Sequence, residues 1–311
     1  MHPMSDHPGR ASPLLSAISV WSRTPKAELA PEARRVWEGF GTGDDPWLAG
    51  VAAGAEPWPP LVIIDDAPDS QFDRAVRMLQ AGTDLPDGLI CLALAGSGFR
   101  GQRGRPWTAL RGNLHLTAHY RLDVPADRAA ALTALPAVAV AEAIEAVGGE
   151  TARPGIKWVN DVLLGGRKVA GVLTSTQVQG RRIRHAVLGI GINVARAPDG
   201  VAGPGTVPPT SLADADPALG ASLPRVFREV VRRMEQGIRD VRTGRGEVWI
   251  GRYRARSLVI GREVEIWPEG AEAPGSRPLG VGRVTDLLPD LALRIEGVPE
   301  PVRRGRVTLR P

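Results

Sequence analysis

The sequence predicts a mixed α/β domain followed by a small all-β domain. Between residues 61 and 250, short apolar runs alternate with stretches of helical periodicity, which is the pattern of a sheet covered by helices. After residue 256 the helical pattern stops, and short apolar runs recur about every 10 to 15 residues between glycines and prolines, as in small β-barrels. A chain of 311 residues with 43% hydrophobic content is long enough for two such units.

Each element of the first unit has a local signal. Continuous apolar runs indicate buried strands, strict alternation indicates a strand with one polar face, and apolar residues at helical spacing indicate amphipathic helices. Ser70 is a good N-cap, whereas Pro136 is expected to break or kink the helix that contains it. The predicted elements are strands at 61–64, 88–95, 114–122 and 185–195, and helices at 70–79, 126–147 and 224–242.

The two ends of the chain are predicted separately. We expect residues 1–60 to be an N-terminal extension of unknown role, with one helix at 31–40 and too many tryptophans for a disordered tail. It should therefore fold back onto the main domain, residues 61–250. Residues 256–311 should form the small barrel, with strands at 258–267, 279–287, 291–295 and 302–309.

Composition narrows the class of protein. The chain has 39 Lys and Arg against 34 Asp and Glu, a net charge of +5, which suits an anionic ligand or an acidic partner but is too small to indicate nucleic-acid binding. The single cysteine, Cys91, excludes an intrachain disulfide and lies in an apolar run, so we expect it to be buried. No signal peptide is recognisable, and we expect no apolar run to approach the ~18–20 residues that a membrane span requires, so the predicted location is cytoplasmic.

Residues 157–173 carry the strongest chemical signal. They are predicted to form a strand, a Gly165-Gly166 turn and a returning strand. Only three of the 39 basic residues are lysines, and Lys157 and Lys168 both lie here, which indicates a need for compact ammonium groups. If Lys168 points inward it needs an anionic partner such as a substrate; an edge lysine facing water is the alternative. Asp161 could bind a metal or pair with Lys157, or could simply belong to a turn.

A second signal is the glycine- and arginine-rich loop at 100–107. Glycines allow the backbone to approach a ligand, and arginines offer forked donors that match carboxylate or phosphate oxygens. We expect the loop to be mobile when empty, because its like charges repel, and to become ordered around an anion. A solvated basic loop or an RNA-contacting segment is the alternative.

Other catalytic motifs are not found in the sequence. Gly189-Ile190-Gly191 lacks the third glycine of a dinucleotide fingerprint, since Val194 stands there, and no helix follows. The sequence contains neither a phosphate-binding P-loop nor a recognisable Ser/His/Asp or Cys/His set. The predicted site therefore works by positioning anions and not through a protein nucleophile.

Three blocks together resemble the biotin protein ligase (biotin/lipoate ligase) family. They are the family's glycine-arginine loop ending in tryptophan, its Lys-Trp-Pro-Asn-Asp block and its Lys-x-Ala-Gly-Ile/Val block. Gly112-Asn113-Leu114, Gly189 to Asn193 and Thr210-Ser211-Leu212 fit as well, in the family's order. The residues that match the three blocks are Arg100, Gly101, Arg103, Gly104, Arg105 and Trp107; Lys157, Trp158, Asn160 and Asp161; and Lys168, Ala170, Gly171 and Val172.

The resemblance implies a catalytic domain related to class II tRNA synthetases at 61–250, followed by an SH3-like barrel. It also implies two steps: biotin attacks the α-phosphate of ATP to give biotinyl-5′-adenylate, and a lysine of a biotin carboxyl carrier domain then takes the biotinyl group. No helix-turn-helix is visible, so DNA binding is not expected, and no membrane partner is expected either.

The resemblance assigns a role to each matched residue. Lys168, Arg103 and Arg105 are the implied catalytic residues, and Mg²⁺ is implied with ATP, with Asp161 as a metal ligand. The implied biotin-binding residues are Ser70, Arg100, Gly101, Lys168 and Gly171. The implied ATP- or adenylate-binding residues are Arg100, Arg103, Gly104, Arg105, Trp107, Lys157, Asn160, Asp161 and Asn193.

The chain departs from the family mainly where biotin's ring would be held. The family's Ser-Thr-Asn survives only as Ser70, followed by Gln71 and Phe72, and Val159 stands for a proline. In the loop, Gly96, Phe99 and Gln102 replace the family's residues. Three alternatives therefore stay open: a ligase or transferase of the same fold for lipoate or another carboxylic acid, a non-catalytic ligand- or carrier-binding module, and an RNA-binding protein.

Overall fold

The computed structural model describes residues 21–23, 31–40, 47–49, 61–149, 152–199, 207–220, 223–268 and 278–310. Within them lie thirteen strands, seven α-helices and two short 3₁₀ helices at Gln102–Gly104 and Ala126–Arg128. The strands are β1 Trp21–Arg23, β2 Trp47–Ala49, β3 Leu61–Ile64, β4 Leu89–Ala93, β5 Leu114–Pro125, β6 Gly155–Lys157, β7 Asp161–Leu164, β8 Arg167–Gln179, β9 Arg182–Ile192, β10 Glu263–Trp267, β11 Gly280–Leu287, β12 Leu293–Ile295 and β13 Arg306–Leu309. The α-helices are α1 Pro31–Gly39, α2 Gln71–Gln80, α3 Ala129–Gly148, α4 Leu212–Ala215, α5 Pro217–Gly220, α6 Leu223–Arg242 and α7 Glu247–Ala255.

The main domain is built on one mixed sheet. Among the described residues its strands run in the order β1-β2-β3-β4-β5-β9-β8-β7-β6, and β3 with β4 is the parallel pair. Side chains alternate between its two faces, as the strand period requires. In β3, Leu61 and Ile63 join a large core with α3, α6 and α7, whereas Val62 and Ile64 join a second core with α1 and α2. The predicted α/β class is confirmed.

The central helix α3 fills the large core. It is continuous through Pro136, so the helix is not broken there, whereas a kink stays a prediction. Proline has no N–H to donate to the carbonyl of Leu132, one turn earlier. The Thr174 hydroxyl on β8 donates to that oxygen instead, at 3.3 Å, which satisfies the acceptor that the proline leaves free.

The same helix corrects the membrane prediction. Together with the preceding 3₁₀ turn, Ala126–Gly148 is long and apolar enough to cross a bilayer, with a mean hydropathy of 1.7. Inside this protein, 72% of that apolar window is buried against other elements, as in a core helix. The apolar character therefore reflects packing between the sheet, α6 and α7.

The predicted first strand of residues 157–173 is two strands. β6 and β7 form a tight hairpin around Trp158 to Asn160, with Lys157 directly opposite Asp161. β7 and β8 are then joined by Gly165 and Gly166, both at positive φ, which is the predicted two-glycine turn.

The N-terminal extension packs on the second face, as expected. In the predicted helix α1, Trp37 is 2% exposed and lies in the second core. The short strand β2 pairs with β3, where Trp47 faces Ile63. Trp58, another tryptophan of this segment, lies outside the described residues.

The C-terminal unit is a four-stranded antiparallel sheet in the order β12-β11-β10-β13. Its first strand begins at Glu263, not at 258 as predicted, because residues 257–262 form turns beside β6. The Trp158 indole donates to the Leu291 carbonyl at 2.7 Å, and the sheet's apolar residues continue the large core. The antiparallel sheet is confirmed, whereas its closure into an SH3-like barrel stays a prediction.

Candidate active site

A cleft opens on the face of the main sheet that α2 covers only in part, with about 510 Å³ of empty space when the open solvent at its mouth is included. Its floor is formed by three adjacent strands, β5, β9 and β8, and its walls come from α2 and the arginine-rich loop. The lining residues are Ser70, Phe72, Phe99, Arg100, Gly101, Gln102, Trp107, His115, Leu116, Thr117, Asn160, Lys168, Gly171, Val172, Leu173, Gly189, Ile190 and Gly191.

Strand register places the central side chains in one row across the sheet. His115 on β5 faces Gly191 on β9, which faces Gly171 on β8. Gly171 faces Asp161 on β7, and Asp161 faces Lys157 on β6. Two glycines thus lie between a histidine at one end of the row and a charged pair at the other.

A β-bulge turns Lys168 toward the cleft. Val162 pairs with Ala170, but the next residue, Leu163, pairs with Lys168 and not with Val169. Since side chains alternate, an unbroken strand would direct Lys168 into the large core together with Ala170. The extra residue places Val169 in that core, fully buried, and leaves the Lys168 ammonium in the cleft. The prediction that Lys168 points inward fits this geometry.

The Lys168 ammonium lies 2.6 Å from the Asp161 carboxylate. Lys157, directly opposite Asp161, is 6% exposed. Burial lowers the pKa of Lys157; Asp161 opposes that shift, while Lys168, Arg105 and Arg306 add to it. Among the described charges that act on Lys157, three are cationic and one is a carboxylate, a balance that suits anionic ligands.

The arginine-rich loop is a short hairpin, which we call the arginine hairpin and define as residues 99–107. Its base is closed by the Trp107 N–H, which donates to the Phe99 carbonyl at 2.9 Å. Arg100 pairs with Pro106, and the Gly101 N–H donates to the Arg105 carbonyl at 2.7 Å. The expected mobility of the empty loop stays a prediction.

The arginines of this hairpin differ in what the structure describes. Arg100 is exposed and lines the cleft, whereas Arg105 is exposed at the edge and Gly104 takes a positive φ. The side chain of Arg103 lies outside the described part of the chain. Lys168 and Arg100 therefore share one cavity, as the predicted mechanism requires.

The Trp107 indole lies across the two glycines of the row. A Cβ atom at Gly191 would come within 2.4 Å of the ring, and one at Gly171 within 3.4 Å. The Lys168 ammonium is 5.7 Å from the centre of the same ring. Gly171 was predicted to leave room for a ligand. It lines the cleft, and a Cβ there would contact the Lys168 ammonium at 3.3 Å and the indole at 3.4 Å.

The wall nearest α2 is made by Ser70 and Phe72. Ser70 caps α2, its hydroxyl oxygen accepting from the Asp73 N–H at 3.3 Å, and it lines the cleft as predicted. The Phe72 ring packs over Gly189, where a Cβ would lie 2.9 Å from it. Gln71 does not line the cleft, and its amide donates to the Asp69 carbonyl at 3.0 Å.

Two predicted asparagines have different surroundings. Asn160 lines the cleft and is held by a hydrogen bond from its amide to the Val172 carbonyl, 3.0 Å. Asn193 is 2% exposed and does not line it; its amide donates to the Thr210 carbonyl at 3.0 Å. The nucleotide contact predicted for Asn193 therefore finds no support in the geometry, because this side chain holds residues 208–210, the segment that pairs with Lys168.

The motifs did not identify several lining residues. His115 and Thr117 lie on the polar face of an alternating strand, which was a visible signal, but alternation alone does not show whether that face is open or covered. Phe72 and Phe99 were noted only as departures from the family motif. Their position became apparent from their packing against Gly189 and Gly96.

The fold and the cleft define a class of protein: an α/β domain with a glycine-floored cleft that Lys168 and Arg100 both line. Residues 77–193 match the model of the Biotin/lipoate A/B protein ligase family. A biotin--[acetyl-CoA-carboxylase] ligase from Mycobacterium tuberculosis is 31% identical over 267 residues, 84% of this chain and 91% of that protein. The chain therefore belongs to the biotin protein ligase family.

Two further comparisons agree with this assignment. A bifunctional ligase/repressor BirA from Bacillus spizizenii is 38% identical over 120 residues, which is 38% of this chain and 36% of that protein's length. The structure of a biotin protein ligase from Aquifex aeolicus in complex with biotin and ATP matches 80% of this chain and 98% of that chain, with a TM-score of 0.58 and 21% identity. The latter similarity supports the fold.

Proposed function

We propose that this protein activates biotin with ATP and attaches it to a carrier protein. In the first step a biotin carboxylate oxygen attacks the α-phosphorus of ATP, forming biotinyl-5′-adenylate and releasing pyrophosphate. In the second, the amine of a carrier-domain lysine attacks the acyl carbon, forming an amide and releasing AMP. The observation that carries the proposal is that Lys168 and Arg100 line one cleft in a member of this ligase family.

The residues of the cleft suit the first step. Two anions repel each other, so the site must neutralise and align them before they can react. In our proposal Lys168 bridges the carboxylate and the α-phosphate, and the arginine hairpin with Arg100, Arg103 and Arg105 clamps the remaining phosphates. Asp161 holds the Lys168 ammonium in place until the anions arrive, which matches their 2.6 Å contact.

In our proposal, different residues of the cleft contact the nucleotide and the acyl substrate. We propose that Trp107, Gly104, Lys157 and Asn160 support the adenylate, with Gly101 and Gly171 next to the bond that forms. Ser70 would contact the acyl substrate. The hydroxyl oxygen of Ser70 already accepts a backbone hydrogen bond, so its hydrogen is free to be donated to a ligand.

The residues described do not build a metal cage of their own. No group of three or more His, Cys, Asp or Glu side chains suited to a metal occurs in that part of the chain. Asp161, the predicted ligand, is paired with Lys168. We infer that Mg²⁺ would enter on the phosphate oxygens of ATP, as is usual for this ion in nucleotide sites.

A second candidate, activation of lipoate or another carboxylic acid, is favoured by one observation. The side chain of Gln71 points away from the cleft, and Phe72 narrows it over Gly189, where the family motif has small polar residues. This wall is more apolar than the motif implies. The names of the relatives favour biotin, so biotin stays the main proposal.

The partner, location and domain division follow from the same proposal. The partner would be the biotin carboxyl carrier domain of a carboxylase, in the cytoplasm where ATP and the carboxylase meet. The buried single thiol of Cys91, 1% exposed, is compatible with a reducing compartment. We propose 61–250 as the catalytic domain and 256–311 as a small accessory domain.

The proposal is tested by measuring pyrophosphate release from ATP with a panel of acids: biotin, lipoate and octanoate. Biotin alone should support release, and biotin transfer should require a carrier domain. Release with lipoate or octanoate but not biotin would establish the second candidate. Failure with every acid, combined with salt-sensitive RNA binding, would overturn both.

A further inference from the structure

His115 lies directly beneath the base of the arginine hairpin. It is 4% exposed and stands at one end of the row that continues through Gly191 and Gly171. Its ring meets Phe99 edge-on, with the ring centres 5.9 Å apart, and Trp107 edge-on at 6.5 Å. These two residues are the two ends of the hairpin, and a backbone hydrogen bond joins them. One imidazole thus touches both legs of the loop that carries Arg100 and Arg105.

Hydrogen bonds fix the orientation of this ring. The Trp107 indole N–H donates to His115 Nδ1 at 3.3 Å, and His115 Nε2 lies 3.1 Å from the Leu110 carbonyl oxygen. A carbonyl can only accept, so Nε2 carries the hydrogen and Nδ1 is the acceptor. The imidazole is therefore neutral, in agreement with its burial, which lowers its pKa to about 4.

We infer that His115 is a positioning residue that sets the Trp107 indole across Gly171 and Gly191 and thereby holds the arginine hairpin over Lys168. The inference rests on the proposed function for its link to catalysis. On the floor the indole lies against Gly171 and Gly191, and glycines offer no side chain to stop it from sliding. The bond to Nδ1 supplies that missing restraint, and the Lys168 ammonium faces the ring 5.7 Å from its centre.

The test separates the acceptor from the ring. His115→Phe keeps an aromatic ring but removes the acceptor, whereas His115→Asn keeps an acceptor close to the Nδ1 position. His119→Phe is the matched control, because His119 is a buried histidine on the same strand that does not line the cleft. Trp107→Phe removes the donor. In an NMR spectrum, the indole N–H signal that is missing from this variant is that of Trp107.

The first readout needs no turnover. In ¹⁵N-labelled protein, His115 should show a protonated Nε2 and an unprotonated Nδ1. The Trp107 indole N–H should exchange slowly with solvent in the wild type and in His115→Asn and rapidly in His115→Phe. A protonated Nδ1, or an unchanged Trp107 signal in His115→Phe, would overturn the inference even if biotin activation proves correct.

The second readout is kinetic. His115→Phe removes a single neutral hydrogen bond. We therefore expect it to raise the KM for ATP about fivefold to tenfold and to leave kcat closer to normal. His115→Asn should recover most of the loss, and the double variant with Trp107→Phe should be no worse than the more affected single variant. Equal effects of His119→Phe and His115→Phe would show a merely structural role. Absence of activity in the wild type would contradict the proposed function while leaving the spectroscopic test in force.

Discussion

Asp161 forms an ion pair with Lys168, and this pairing suits a lysine at position 168. Asp161 lies opposite Lys157 in the strand register and within 2.6 Å of the Lys168 ammonium. An ammonium is a compact charge that can turn from one oxygen to another, whereas a guanidinium is held by its planar fork. Lys168 can therefore move from Asp161 to an incoming anion with little rearrangement.

Lys168→Ala should slow pyrophosphate release by ~10²–10³, about 3–4 kcal/mol, because an electrostatic contact to the developing charge is lost. Lys168→Arg should recover only part of this rate, since its fork does not match the Asp161 site. Arg167→Ala is the control, because Arg167 is the adjacent residue, is exposed and does not line the cleft. Near-normal adenylate formation by Lys168→Ala would remove Lys168 from the mechanism.

Gly191→Ala should displace the Trp107 indole, because the new Cβ would lie 2.4 Å from the ring. Overpacking of this kind costs about 1–3 kcal/mol, and we expect it as a raised KM for ATP together with a lower unfolding midpoint in urea. Gly251→Ala in α7 is the control, because a Cβ there meets nothing within 4 Å. If Gly191→Ala binds ATP as the wild type does, the Trp107 indole does not depend on contact with Gly191 for its position.

At the scale of elements, α3 and β8 are joined by one hydrogen bond that a proline makes necessary. The Thr174 hydroxyl donates to the Leu132 carbonyl, because Pro136 has no N–H that could donate to it. This bond links the helix in the large core to the strand that carries Lys168.

Thr174→Val should destabilise the protein by about 1–3 kcal/mol, because the Leu132 carbonyl is left without a donor in the core. In a Pro136→Ala background the backbone N–H of residue 136 can donate instead, so the same change should cost clearly less. Urea unfolding of the four proteins measures this coupling. Equal losses in both backgrounds would show that the two features are independent.

The elements that local pattern controls were predictable. Ser70 was predicted to cap α2 and does so, and the amphipathic helix predicted at 224–242 is α6, Leu223–Arg242. The bulge before Val169 was not predictable, because it depends on the pairing of β7 with β8 and not on either strand alone. The predicted strand before the two-glycine turn proved to be two strands for the same reason.

The site was predictable in its charged residues and not in its floor. Motif residues such as Lys168 and Arg100 stand out by composition, and the family they indicated is confirmed by the relatives. The row His115–Gly191–Gly171 joins residues far apart in the chain, and only the strand register brings it together. In the sequence, a glycine that an aromatic ring packs against cannot be distinguished from a glycine that leaves space for a ligand.

At the scale of the whole molecule, two buried histidines bind protons less readily in the folded chain than in the unfolded one. Burial lowers the pKa of both His115 and His119 from 6.5 to about 4. His119 Nδ1 lies 2.8 Å from the Pro86 carbonyl oxygen and His119 Nε2 lies 3.0 Å from His185 Nδ1, and the charges of Asp87 and Arg121 act on the His119 ring from nearby. Because a carbonyl only accepts, His119 Nδ1 carries the hydrogen toward Pro86.

The protein should therefore lose stability as the pH falls from about 6.5 toward 4. Above 6.5 both histidines are neutral in the folded and unfolded states, so the free energy of unfolding does not depend on them. Between the two pKa values the unfolded chain binds up to two more protons than the folded chain, which lowers that free energy by about 1.4 kcal/mol per pH unit for each histidine. Urea unfolding between pH 7.5 and 4.5 measures the slope. His119→Phe should remove about half of the part due to His115 and His119, whereas His185, whose pKa is also lowered by burial, adds a contribution of the same sign. A slope that is unchanged in His119→Phe would assign the acid sensitivity to other groups, such as the carboxylates of Asp123 and Glu229, whose pKa values are lowered by their arginine partners.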